Sequence, residues 1–369
     1  MLVAASAHEG HGGRSTTSQP GVRGASCRRH SVASTTSLRW IPRETVRIGA
    51  PRRRGFPRRC AVLGSGDAQP SRGVIILPGL GNNSTDYGAL VHLLRQRNLH
   101  VEVAPMSRLD WARNAAGLRQ AAYWKGTLHP RPTVDWYLDR VSHAAEAALR
   151  ALGGEAPLTL LAHSAGGWLG RVYLGARPPA AHRVDAYVSL GSPQAPPPDG
   201  TFDQTRGILR AVEEAYPGAH EPGVAYTTVA GRYACGAPLA GPGGARARLL
   251  GLAYAQVCGG GGAVWGDGVV PVQSAHLEGA RQLTLDGVYH SPLGAREAAA
   301  AAGAAAATAA AGTGVSDLGA VGAGAVGAQS DVAGGPRPAQ RRVWYGSPQV
   351  LDHWVGGVWG WRGEGAGEA

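Results

Sequence analysis

Leu158-Thr159-Leu160-Leu161-Ala162-His163-Ser164-Ala165-Gly166-Gly167 is the stretch that decides how this chain of 369 residues is read. It opens as a largely apolar run, as expected of a strand buried on both faces. Trp168 to Leu174 reads as a helix. Ser164 therefore stands on a sharp turn between strand and helix, in the pattern G-x-S-x-G with Ala162 in the first glycine position. That turn is sterically tight, so the residues two before and two after the serine must be small. Ala162 and Gly166 are, and a methyl group still fits where the pattern has its first glycine. The same turn aims backbone N–H groups and a helix N-terminus at an oxygen reacting with the serine. The bare pattern also arises by chance, but its place between a buried strand and a helix weakens the reading of Ser164 as a passive turn residue.

Outward from this turn, strands alternate with helices. Val74-Ile75-Ile76-Leu77 is a buried strand, followed by Pro78-Gly79-Leu80-Gly81 and a helix expected over 85–97. Residues 100–104 read as the next strand. Over 133–152, Val134, Tyr137, Leu138, Val141, Ala144, Ala145, Ala148, Leu149 and Leu152 recur at the helical period. Pro132 precedes this helix, Thr133 is placed to cap it, and Gly153-Gly154 stops it. Further strands are expected at 184–190, 225–230 and 282–285. The alternation predicts an α/β chain with a mostly parallel central sheet and helices on both faces. With a serine turn at a strand exit, this is the α/β-hydrolase fold.

The chemistry expected of such a serine needs three more parts, and the chain order should be serine, acid, histidine. A second oxyanion donor should come from the loop after an earlier strand. Pro78-Gly79-Leu80 supplies it, so the two donors are expected to be the backbone N–H groups of Leu80 and Ala165. The acid is read as Asp267, between glycines in Gly266-Asp267-Gly268-Val269-Val270-Pro271. The base is read as His290, in the loop after the strand Gln282-Leu283-Thr284-Leu285. Asp286 is the second choice for the acid, since it lies only four residues before His290. His276 reads as a surface histidine and His163 as a structural one. Ser192 is a poor nucleophile, because Pro193 has no N–H to offer an oxyanion.

Composition bounds the rest. Of the net charge of +11, +10 lies in residues 1–60, where 12 Arg face only Glu9 and Glu44. The body is near neutral, which argues against a nucleic-acid footprint. Residues 1–68 are rich in Arg, Ser and Thr and read as a disordered leader. Their composition suits an organelle transit peptide cut near Arg59-Cys60-Ala61. Domain boundaries are then expected at 69–292 for the hydrolase core and 293–341 for a disordered Ala/Gly-rich insert. A C-terminal helix over 342–358 completes the domain, and 359–369 form a tail. No apolar run of transmembrane length occurs, although peripheral membrane contact is compatible with the chain. Cys27 and Cys60 lie in the leader. Cys235 and Cys258 read as thiols, with a bridge between them the alternative. No metal-ligand spacing is present, so neither metal nor cofactor is expected. Asn82-Asn83-Ser84-Thr85 holds glycosylation sequons but reads better as a helix cap. Residues 105–132 and 193–222 are expected to form lid and pocket walls, with Met106, Trp111, Tyr123, Trp124 and Tyr216 either gripping an acyl chain or simply packing.

Taken together, the motifs LPGLGN, AHSAGGW, WGDGVVP and SAHLEGA with LDGVYHSP resemble a plant and algal family of chloroplast-predicted α/β-hydrolases. The similarity runs from Gly73 to His290 and resumes at Trp344 to Pro348; the Ala/Gly insert and Ala162 depart from it. The chain is also distantly similar to the lipase and GPI inositol-deacylase branch. The resemblance implies the triad Ser164, Asp267 and His290 and a chloroplast location. The expected activity is cleavage of a carboxylic ester, with a lipid acyl ester as the substrate that a plastid address suggests. A thioesterase or acyltransferase using the same triad is the nearest alternative. A non-catalytic binding protein on the same fold is the more distant one.

Overall fold

The strands are β1 (Arg43–Val46), β2 (Gly73–Leu77), β3 (His100–Val103), β4 (Leu158–His163), β5 (Val184–Leu190), β6 (Ala225–Arg232), β7 (Ala234–Cys235), β8 (Trp265–Gly266) and β9 (Arg281–Asp286). The helices are α1 (Gly88–Arg95), α2 (Ala121–Lys125), α3 (Asp135–Ala151), α4 (Gly166–Ala176), α5 (Ile208–Ala215), α6 (Ala245–Cys258) and α7 (Pro348–Trp354). These come from a computed structural model that describes residues 43–46, 70–240, 242–293 and 342–360.

Seven strands form one sheet in the order β1-β9-β6-β5-β4-β2-β3, and every neighbouring pair is parallel. β7 and β8 pair antiparallel in a separate ribbon. Successive side chains in a strand point to opposite faces, so an apolar run must be covered on both. Ile75, Leu77, Leu160 and Ala162 pack with Tyr137, Val141 and Ala145 of α3 and Leu169 and Val172 of α4. Val74, Ile76 and Leu161 face the other way, onto Leu90 and Leu94 of α1 and Val350, Leu351 and Trp354 of α7. Helices cover both faces, and the chain has the α/β-hydrolase fold.

The C-terminal segment is a full member of this core. Trp354 is buried, and its indole N–H donates to the Tyr345 carbonyl at 2.9 Å. Trp354→Ala is expected to cost about 3–5 kcal/mol of stability, read from urea unfolding, because it leaves a cavity and an unpaired buried carbonyl.

Several local expectations change. Residues 43–46, read as leader, form an edge strand in register with Gln282 to Leu285 of β9. Arginine content hid a short strand ending in Thr45-Val46, two β-branched residues suited to a pleated edge. A cut near residue 60 would remove it. The rest of the leader, residues 294–341 of the insert expected over 293–341, residues 361–369, Cys27 and Cys60 lie outside the described residues. Thr133 does not cap α3; the cap position is Val134, without a side-chain bond. Asn83 caps the turn Ser84–Tyr87 instead, accepting from the Asp86 amide at 3.0 Å while Asp86 accepts from the Asn83 amide at 2.9 Å.

The supposed lid is largely packing. Met106 and Trp111 are buried, and Tyr123 and Tyr216 pack against the same core; Trp124 alone among the five is exposed. Cys235 and Cys258 are not joined by a disulfide, and each is half-buried.

Candidate active site

β4 lies between β2 and β5, with Ala162 opposite Leu77 on one side and Ser189 on the other. The strand ends at His163, and Ser164 takes φ +53°, the left-handed conformation that costs a non-glycine residue energy. Its amide donates to the Leu190 carbonyl at 3.0 Å, and its carbonyl accepts from the Gly167 amide at 3.0 Å. α4 begins at once, with Ala165 as its cap residue. The small residues are needed here. A Cβ on Gly166 would stand 2.4 Å from the Leu77 carbonyl oxygen, and one on Gly79 would stand 2.6 Å from the Ser164 Cβ. Ala162 is fully buried, so a larger side chain would have no room.

Three loops at the carboxyl ends of the strands bring the expected side chains together. His290 Nε2 lies 3.0 Å from Ser164 Oγ, and His290 Nδ1 lies 2.7 Å from Asp267 Oδ2. Asp267 is fully buried and His290 nearly so. The other carboxylate oxygen, Oδ1, accepts from the amides of Val269 at 3.0 Å and Val270 at 2.7 Å. Oδ2 also accepts from the Tyr345 hydroxyl at 2.7 Å, and that hydroxyl accepts from the Gly231 amide at 2.7 Å. Burial alone would raise the Asp267 pKa. The charge and hydrogen bond of His290, with the Val270 and Tyr345 donors, outweigh it and hold the carboxyl below its ordinary value.

The loop Pro78-Gly79-Leu80, read from the sequence as the oxyanion loop, is held by two tyrosines. The Tyr137 hydroxyl donates to the Pro78 carbonyl at 2.8 Å, and the Gly79 amide donates to the Tyr87 hydroxyl at 3.0 Å. The amides of Leu80 and Ala165 donate to no protein group among the described residues.

The other candidates have separate tasks. Asp286 is engaged by Arg232, whose Nη2 lies 2.8 Å from Oδ2, and it does not serve His290. His276 is not a surface histidine. It is half-buried and joins Thr228 Oγ1 at 3.1 Å to Thr284 Oγ1 at 3.0 Å, tying β6 to β9. Ser192 is buried and its hydroxyl meets no partner among the described residues. No cluster of three or more His, Cys, Asp and Glu among the described residues is arranged to hold a metal ion.

His163 is buried, and burial, with the nearby His290 charge, holds its pKa down to about 3. Above about pH 6.5 both folded and unfolded chains leave it neutral. Between there and pH 3 only the unfolded chain takes the proton, so stability falls as pH falls. From pH 7 to pH 5 the loss is about 2 kcal/mol. Urea unfolding at the two pH values should show a loss about 2 kcal/mol smaller in His163→Gln than in the wild type, His220 contributing in both.

Two residues central to this geometry, Tyr87 and Tyr345, were not among the candidates read from sequence. Tyr345 was signalled only by its place in the C-terminal segment 342–358 and in the stretch Trp344 to Pro348 where the resemblance resumes. Tyr87 carried none.

No family model and no curated protein sequence matches the chain. Solved structures do. A monoglyceride lipase from Saccharomyces cerevisiae is 15% identical at a TM-score of 0.25, over 36% of this chain and 40% of that one. A poly(3-hydroxybutyrate) depolymerase from Bordetella parapertussis is 16% identical at 0.35, over 69% and 83%. A protein from Xanthomonas campestris described as a hydrolase of the alpha/beta superfamily is 16% identical at 0.30, over 66% and 99%. The chain thus spans well under two thirds of the yeast lipase. At these identities and scores the likeness carries no statement about activity, and the fold class rests on the parallel sheet and the serine turn described above.

Proposed function

We propose that this protein is a serine hydrolase that cleaves carboxylic esters through an acyl-enzyme. One observation carries the reading: the unbroken series from Ser164 Oγ to His290 Nε2 at 3.0 Å and from His290 Nδ1 to Asp267 Oδ2 at 2.7 Å. In this mechanism His290 takes the Ser164 proton as Oγ attacks the ester carbonyl. The Leu80 and Ala165 amides receive the oxyanion. His290 returns the proton to the leaving alcohol as the tetrahedral adduct collapses to a Ser164 ester. A water then gives its proton to His290 and attacks that ester, and His290 passes the proton to Ser164 Oγ as the acid is released. Asp267 fixes the imidazole with Nδ1 protonated and Nε2 free to accept, and it stabilises the imidazolium. No cofactor takes part.

Lipid acyl esters are the substrate class we favour. The Leu80 side chain stands at the oxyanion loop and is 61% exposed. An acyl chain reaching Ser164 would cover it, and apolar surface removed from water is favourable. The lipase-like resemblance and the Arg- and Ser-rich N-terminus support the same class and a plastid location, with the leader ending before β1. No helix among the described residues is long and apolar enough to cross a membrane.

The full chain mixed with excess chromogenic acetate ester should release a burst of one alcohol per chain. Acid-quenched samples should carry one acetyl group on Ser164, found by intact mass and peptide mapping. Steady turnover with the acyl group on another residue would overturn the assignment. An acyl group that passes to added alcohols in preference to water would favour the acyltransferase reading.

A further inference from the structure

The residue before the nucleophile is buried, neutral and bonded at both ring nitrogens, and the mechanism above makes no use of it. His163 Nδ1 lies 2.8 Å from the Tyr87 hydroxyl, and His163 Nε2 lies 3.0 Å from the His290 carbonyl oxygen. The hydrogen-bond directions are determined by their ends. The His290 carbonyl only accepts, so Nε2 carries the proton and Nδ1 must accept. Tyr87 therefore donates its single proton to Nδ1, and its oxygen is left to accept from the Gly79 amide at 3.0 Å.

A continuous series results: Gly79 N–H to Tyr87 O–H to His163 Nδ1, then His163 Nε2–H to the His290 carbonyl. One end is the peptide next to the Leu80 donor, and the other is the backbone of the base. The second peptide group of His290 is held too, its amide donating to the Asp267 carbonyl at 3.0 Å. Tyr87, His163 and Trp344 pack edge to face around this line, with Tyr87 and His163 centroids 5.8 Å apart and His163 and Trp344 centroids 5.9 Å apart.

We propose that Tyr87 and His163 are positioning residues that join the oxyanion loop to the base loop and set the distance between the Leu80 amide and the His290 imidazole. The inference rests on the serine-hydrolase reading. Such a brace matters because acyl transfer needs the oxyanion donors and the base in place at once, and a displacement of about 1 Å costs about 10²-fold. His163 suits the task because burial keeps it neutral, which preserves the one tautomer the series allows.

Four full-length variants test this on a chromogenic ester: His163→Phe, His163→Gln, Tyr87→Phe and the double variant Tyr87→Phe/His163→Phe. His163→Phe should lower kcat by about 10–10²-fold with KM little changed. His163→Gln should recover most of that loss, since its amide can still donate to the His290 carbonyl. The double variant should be no worse than the worse single one, because both break the same series. Full kcat in His163→Phe, or additive losses in the double variant, would overturn the proposal. So would equal kcat losses in the Phe and Gln variants, which would mark a filler of space.

Imidazole ¹⁵N NMR of the wild type gives a readout that needs no activity. The expected result is neutral His163 protonated at Nε2, with the Nδ1 signal moving in Tyr87→Phe. An Nδ1–H tautomer would reverse the series and end the proposal. If the wild type turns over no ester and forms no acyl-enzyme, the hydrolase reading fails on its own, and the tautomer still decides whether the series exists.

Discussion

Ser164→Ala is expected to reduce ester turnover almost to the uncatalysed level, a loss in kcat of about 10⁶-fold. The size follows from what is removed. Among the described residues, the alcohol oxygen is the only atom within hydrogen-bonding distance of His290 Nε2 that could form a covalent acyl intermediate. Without it, the Leu80 and Ala165 amides proposed as oxyanion donors would still polarise a carbonyl, so a small residue of activity over background is expected. The fold should be indifferent. The change deletes one oxygen from a half-buried side chain, and the left-handed backbone costs alanine about what it costs serine. A thermal melt within a few degrees of wild type, beside kcat near zero, is the expected pair of results. Loss of kcat with loss of folding would say nothing about chemistry.

Asp267→Asn should cost about 10⁴-fold in kcat, with KM largely retained. The hydrogen bonds around this side chain dictate how an amide would sit there. One carboxylate oxygen accepts from two backbone amides, of Val269 and Val270, and cannot be replaced by a donor group. The amide oxygen must therefore take that place, turning the NH₂ group toward His290 Nδ1 and the Tyr345 hydroxyl. His290 Nδ1 would then accept a hydrogen bond from that group, and Nε2 would carry the single ring proton. That is the wrong tautomer for removing the serine proton. The buried Tyr345 hydroxyl also loses its acceptor, so some stability is lost along with the function of the base. Measuring kcat and KM on one ester checks this, and an Asn variant within about tenfold of wild type would contradict the role given to Asp267.

How much of this was legible in the sequence depends on how local the signal was. The serine turn was, because its steric demand acts over five consecutive positions. β5 spans the expected residues, since both of its faces are covered and only Asp185 and Ser189 interrupt its apolar residues. Asp267 and His290 could be read because each follows a short strand in the expected chain order. Other features depend on contacts distant in sequence. Tyr345 reaches Asp267 across 78 positions, and Tyr87 reaches His163 across 76, so neither leaves a local pattern. α6 escaped notice because only Leu250, Gly251 and Tyr254 of its 14 residues are buried, too few for an apolar stripe. β1 was masked by its arginine-rich surroundings. His276 looked like a loop residue because its threonine partners lie on two different strands.

The central claim is that Ser164 is an activated nucleophile, and reaction with a fluorophosphonate probe tests it most directly. The full chain is used, since β1 lies within the first 60 residues. Wild type should take up one probe per chain, mapped to Ser164, and Ser164→Ala should take up none. Labelling that persists in Ser164→Ala, or a folded wild type that turns over ester without labelling, would contradict the account.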